Sequence, residues 1–270
     1  MKKVLFILQK KNYNKKYIIY IKMLKIIGYK IHIITDIEDS IKYCEKIQKS
    51  IFKINNNEYE MIFCNSKIIE ILLKLFNIKE KNKIIYVNNK INLQDNKKEN
   101  YNTEIDITEE NYVFCSIGEF NKCNNQIVQL ESMIRIIKKY PQAQLILIGK
   151  GKLKEYYEHI IVKYGLSENV EIIENINSKK DIIKKSNCII STRKREEFAL
   201  DLIMAIIFNK PVIVSNTGIN KILFKQKNIF YSSNDLKAKM KEYIEENIKL
   251  EKYYDIKPQE REEILKSESL

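Results

Sequence analysis

Short, continuously apolar runs alternate along this chain with longer amphipathic stretches. Such alternation predicts parallel β/α units, whose strands are apolar throughout because helices cover both faces of the sheet. In the first part the pattern predicts strands over 4–8, 30–35, 61–64 and 83–87, and helices over 15–27, 40–52 and 66–76. Residues 88–111 are polar and rich in Asn, Lys and Glu, which reads as a connection between two units. The second part is more regular, with strands expected over 112–117, 144–148, 170–173, 188–191, 211–214 and 228–231. Helices are expected over 126–140, 153–164, 179–186, 220–224 and 235–248. The stretch from Arg195 to Asn216 reads as a loop carrying carboxylates, a helix, and a buried strand entered through Pro211. The domain assignment that follows is 1–92, a linker over 93–110, 111–250, and a tail over 251–270.

At 270 residues and 44% hydrophobic, the chain has one large domain or two small ones and can bury a core. The net charge of +13 would ordinarily point to an acidic partner. Here it reflects composition: of 48 basic residues only Arg135, Arg193, Arg195 and Arg261 are arginine, and the lysines are spread rather than clustered. A solvated surface explains this better than a nucleic-acid site, which is not expected. Five cysteines without a C-x-x-C spacing read as buried thiols in a reducing compartment. The start, MKKVLFILQKK, is too short for a signal peptide's apolar core and fits a first strand. No run reaches the roughly 18 apolar residues of a spanning helix. The expectation is a cytoplasmic protein, free or peripheral on the inner face of the membrane. For membrane association the candidate is the apolar helix from Tyr17 to Ile27, lying on an anionic surface or packed on its own sheet.

Ligands of an open parallel sheet bind at the carboxyl ends of strands, where the topology switches direction. Helix N-termini there offer free N–H groups and partial positive charge to phosphates. Three strand ends carry suitable residues: Ser116 to Lys122 with Gly118, Gly149 to Lys152 with Gly151, and Ser191 to Leu200. In the third, Glu196 and Met204 are eight apart, about 80° off one face of an unbroken helix. They share a ligand only if Glu196 lies in the loop and Met204 lies in the helix behind it. The N–H groups of Phe198, Ala199 and Leu200 then line the helix entrance.

At these residues the chain resembles the retaining glycosyltransferases of the GT-B fold, group 1, also called family 4. Their C-terminal half carries G-R-L-x-x-x-K-G, a strand ending in G-x-G, V-x-F-x-G, and S-x-x-E-G-F-G-L-x-x-x-E-A-M-A-x-G-x-P-V-V. This chain reads GEFNKCNN from Gly118, GKG from Gly149, VEIIE from Val170, and EEFALDLIMAIIFNKPVIV from Glu196. Order and spacing agree over about 130 residues. The resemblance implies an α/β fold of two Rossmann-like domains facing a cleft, with the first domain shortened. It implies transfer of a sugar from a nucleotide-sugar donor to a glycan, lipid-linked saccharide or protein acceptor in the cell envelope. It also implies retention of configuration, no metal and no separate cofactor. Backbone groups at Phe198, Ala199 and Leu200 would hold the diphosphate, and Glu196 would face the sugar as the catalytic residue. The candidate donor site also takes in Gly118, Gly149, Gly151 and Met204, at positions of the pattern, and Lys122, Lys152 and Asp201, which lie beside them.

The departures from the pattern bear on activity. Its arginine falls at Glu119, its lysine at Asn124, its second glutamate at Met204, and two of its glycines at Glu174 and Glu197. Losing both cations removes charge that would stabilise a leaving diphosphate, an effect worth several kcal/mol in a preorganised site. Two compensations are expected: Asp201, three residues before Met204, takes the ribose; Lys122, Lys150, Lys152, Arg193 or Arg195 reaches the phosphates. The competing reading is a non-catalytic subunit that binds an active partner glycosyltransferase. Plainer readings exist for single residues. Glu196 would favour a helix dipole and Met204 would fill core. Gly149 and Gly151 with Glu174 weakly imitate a dinucleotide site, but Lys154 replaces the third glycine. Asp36 to Asp39 reads as a solvated helix start rather than a metal site, and His32 and His159 have no partner at ligand spacing.

Overall fold

The computed structural model describes residues 2–8, 16–35, 46–47, 58–64, 84–86, 110–174, 179–194, 200–248, 256–257, 259 and 262. The chain divides into two compact units. One comprises Met1–Leu93, Glu196–Phe198 and Tyr254–Leu270, the other Gln94–Arg195 and Ala199–Tyr253.

The first unit holds a parallel sheet of β1 (Lys3–Leu8), β2 (Lys30–Thr35), β3 (Lys46–Ile47), β4 (Met61–Cys64) and β5 (Ile84–Tyr86). Its order is β3-β2-β1-β4-β5. The most apolar run, β1, is therefore central, pairing with β2 from Lys3↔Lys30 to Leu8↔Thr35 and with β4 from Val4↔Met61. The helix expected over 40–52 is not what residues 46–47 form. They pair as an edge strand, His32↔Lys46 and Ile33↔Ile47. Unpaired backbone at the side of β2 outweighs the local helical pattern, a tertiary override of propensity. Helix α1 (Lys16–Ile26) has Tyr17, Ile19, Tyr20, Ile21, Met23 and Leu24 at 2% exposure or less. These six side chains are buried within the protein. His32 is a core histidine whose Nδ1 shares a 2.8 Å hydrogen bond with the Tyr59 hydroxyl.

The second unit contains β6 (Tyr112–Ile117), α2 (Ile127–Ile136), β7 (Ala143–Ile148), α3 (Lys154–Lys163), β8 (Val170–Ile173) and α4 (Lys179–Lys185). It continues through β9 (Cys188–Ser191), α5 (Leu200–Ile207), β10 (Val212–Ser215), α6 (Gly218–Leu223), β11 (Ile229–Phe230) and α7 (Ser233–Glu245). All its strand pairs are parallel, in the order β11-β10-β9-β6-β7-β8. Along β6, Tyr112 and Phe114 enter a cluster with Leu130, Met133, Tyr157 and Met240, while Val113 and Cys115 between them are equally buried. Burial on both faces explains why these strands read as unbroken apolar runs. The Ser232 hydroxyl caps α7 by accepting from Asp235 N–H at 3.2 Å.

Two asparagines take over a glycine's backbone task. Asn125 and Asn209 have φ of +54° and +51°. They stand where the resembled pattern has the glycines of K-G and A-x-G-x-P. Among residues with a side chain, asparagine is one of the few that enters this left-handed region readily. At Asn209 it ends α5, with Lys210 N–H returning to the Ala205 carbonyl at 2.8 Å. Among the described residues no helix is long and apolar enough to cross a membrane.

Candidate functional site

From β6 the chain builds outward through β7 to β8, then returns to the other side of β6 with β9 and continues to β10 and β11. The switch point lies between β6 and β9. At such a point neighbouring strands send their following loops in opposite directions, which opens a crevice at the carboxyl edge. In this protein polar groups tie the two loops together across the crevice floor. The Thr192 hydroxyl donates to the Asn124 carbonyl at 2.7 Å, and Lys194 N–H donates to the Cys123 carbonyl at 2.9 Å. Buried Gln129 donates through Nε2 to Ser116 Oγ at 3.0 Å and to Thr192 Oγ1 at 2.9 Å. Its Oε1 is buried without a protein partner.

The loop after β6 is shaped locally. The Asn121 side chain accepts from the N–H groups of Cys123 and Asn124, both at 2.9 Å. Asn124 in turn donates to the Glu119 carbonyl at 2.7 Å. The loop then packs on the one after β7. Gly118 N–H donates to the Ile148 carbonyl at 2.9 Å, Phe120 N–H to Lys150 at 3.0 Å, and Leu153 N–H to Phe120 at 3.1 Å. This contact explains two candidate glycines. A Cβ at Gly149 would lie 2.0 Å from the Gly118 carbonyl oxygen, and one at Gly151 would lie 2.6 Å from that of Phe120. Both glycines admit neighbouring backbone.

The other candidates are placed as follows. Lys122, Lys150 and Lys152 are exposed on the loops after β6 and β7, as is Glu119. Asp201 lies in the first turn of α5 and is buried. Rather than standing open beside Met204, it pairs with Arg193 at 3.1 Å between Oδ2 and Nη1, with side-chain exposures of 3% and 13%. Met204 is buried at 3% exposure. Leu200 begins α5; Glu196, Phe198 and Ala199, like Arg195 and Glu197, lie outside the described residues. Glu174, the acid of the dinucleotide imitation, is bound by Lys154 at 3.0 Å. Arg193 was visible in the sequence only as one of several basic residues. Arg193 follows β9 and Asp201 opens α5, so they share no single element whose periodicity would announce the pair.

The comparisons with known proteins agree with this architecture. The family profile described as Glycosyl transferases group 1 matches residues 97–262. An uncharacterized glycosyltransferase of Methanocaldococcus jannaschii is 31% identical over 172 residues, which is 61% of this chain and 41% of that protein. A second from the same organism is 23% identical over 167 residues, covering 59% and 43%. The matched part of the chain thus spans less than half the length of these curated relatives. Among solved structures, Anabaena HepE superposes over all of both chains with a TM-score of 0.55 and 11% identity. Staphylococcus aureus TarM gives 0.53 at 17% identity, over 90% of this chain and 49% of TarM. These two share the GT-B glycosyltransferase fold with this protein. With the family profile spanning more than half of its length, the chain belongs to the group 1 glycosyl transferases.

Proposed function

We propose that this chain transfers a sugar from a nucleotide-sugar donor to a glycan, lipid-linked saccharide or protein acceptor, without a metal and with retention of configuration. The observation that carries the reading is the gathering of family motif segments at the switch point: the loops after β6 and β9 are bonded to each other, and the loop after β7 packs on the first. A diphosphate above this floor meets the head of α5, where N–H groups and the helix dipole favour negative charge. The exposed Lys122, Lys150 and Lys152 supply mobile positive charge in place of the family's fixed arginine and lysine. Chemistry here comes from orienting donor and acceptor and from electrostatic stabilisation of the leaving diphosphate. Glu196 is the residue assigned to the sugar. Anabaena HepE was solved with UDP-glucose and TarM with UDP, so uridine nucleotides come first in any screen.

The test is thermal unfolding against a panel of nucleotide-sugars and nucleoside diphosphates. A ligand at 100 times its Kd adds about 2.7 kcal/mol, a rise of roughly 5–10 °C for a domain of this size. A shift with one nucleotide, reduced in Glu196→Ala, supports the transferase. The absence of any shift at millimolar concentration refutes donor binding. It would favour the second reading, a non-catalytic subunit of an active partner transferase. One observation favours that reading: polar side chains at or beside the donor motifs are engaged within the protein, with Asn124 bonded to the Glu119 carbonyl, Asp201 to Arg193, and Glu174 to Lys154.

A further inference from the structure

Arg193 joins four neighbouring elements at the switch point. Its Nη1 donates to Ser191 Oγ at the end of β9, at 2.8 Å, and to Asp201 Oδ2 in the first turn of α5, at 3.1 Å. Its Nη2 donates to the Ile117 carbonyl at the end of β6, at 2.7 Å. Its own carbonyl accepts from the Ser215 hydroxyl at the end of β10. The guanidinium lies directly beneath the first glycine of the β6 loop, since a Cβ on Gly118 would sit 3.5 Å from Nη2. Neither member of the pair belongs to the resembled pattern. Arg193 falls where the pattern has its serine, and Asp201 falls on an unspecified position.

A buried ion pair is a poor device for stability alone, because desolvating two charges offsets most of their attraction. What it supplies is geometry. The planar guanidinium fork fixes three acceptors at once, which a lysine ammonium on a flexible stem does not. With Asp201 neutralising it, Arg193 is not a free cation for phosphates, so any effect on a ligand passes through the groups it holds. Those groups are the strand end before Gly118 and the head of α5, on either side of the crevice.

We propose that Arg193 and Asp201 form a positioning clasp that sets the head of α5 against the Ile117–Gly118 strand end, and that recognition of the diphosphate part of the donor depends on this clasp. The proposal rests on the donor-binding reading above. It predicts a split between the two parts of the ligand. The nucleoside diphosphate that the unaltered protein binds best, chosen from UDP, GDP, ADP and TDP, is titrated by calorimetry beside its own phosphate-free nucleoside. In Asp201→Asn and in Arg193→Lys, diphosphate affinity falls by about tenfold or more, equivalent to 1.4 kcal/mol, while nucleoside affinity changes by less than about twofold. The second variant keeps the charge pair and removes only the fork, so it reports even where the first fails to fold. If the unaltered protein binds and both variants bind equally well, the clasp alone is overturned. If nucleoside and diphosphate weaken together, the pair is merely structural and the proposal is again overturned. If the unaltered protein binds no nucleoside diphosphate, the donor reading falls and takes the clasp with it.

Discussion

Replacing Gly149 by alanine tests whether this glycine serves the fold itself or only an incoming phosphate. The added Cβ would stand 2.0 Å from the Gly118 carbonyl oxygen and 2.9 Å from its carbon, on a residue whose φ is +156°. A relaxed contact needs more than an ångström of backbone movement. The Gly118 loop is held by Gly118 N–H to Ile148 and Phe120 N–H to Lys150, so that movement strains or breaks hydrogen bonds of about 1 kcal/mol each. Forcing atoms into a packed region costs roughly 1–3 kcal/mol, and an unfavourable φ adds about 1–2 kcal/mol. Together these predict a loss of about 3–6 kcal/mol, or roughly 6–24 °C in Tm. The control is Gly165→Ala, where φ is +65° and nothing lies within 4 Å of the new Cβ. There only the backbone term applies, about 1 kcal/mol and a few degrees. Both variants are melted without ligand, by circular dichroism and calorimetry. If Gly149→Ala melts no lower than Gly165→Ala, the backbone approach does not explain the glycine and the argument fails.

Asn209, with φ of +51° at the end of α5, should accept glycine with unchanged or slightly raised Tm, whereas Asn209→Val should lose about 1–2 kcal/mol; equal melting of the two variants would refute a backbone role. Burial pushes the Cys115 thiol from 9.0 up to about 12. The folded state therefore favours the protonated thiol: this stabilisation is complete below pH 9 and is lost as pH rises through 12. Cys115→Ala should show a smaller alkaline loss of stability between those pH values, measured by denaturant titration. Among the described cysteines, partly exposed Cys123 should react first with a thiol reagent at pH 8, before buried Cys64, Cys115 and Cys188, as peptide mapping would show.

Much of the second unit was readable along the chain. The strands at 112–117, 170–173 and 188–191 fall where the apolar runs begin and end; β6 and β9 are buried nearly throughout, while edge strand β8 exposes Glu171. The helix ends were readable to within a few residues, except that the last turn of 126–140 is irregular beyond Ile136. The first sheet was readable in β1, β2 and β4, and misread at 46–47, where an edge pairing depends on a partner far away in sequence. The family motifs carried group membership in their order and spacing alone.

The identity of each motif position did not carry its role. A glycine after a strand leaves room, but local sequence does not say whether phosphate or backbone fills it; at Gly149 and Gly151 the loop from Gly118 to Phe120 does. A carboxylate near a helix start can serve a ribose, a dipole or a cation. For Asp201 the arginine that meets it lies eight residues earlier, just past the end of β9. The chain alone determined the elements of the second unit and the family, because hydrophobic period and motif order are local, one-dimensional signals. Tertiary structure alone decided the strand order, the switch point and the Arg193–Asp201 pair, because each depends on which distant groups must satisfy one another once water is excluded.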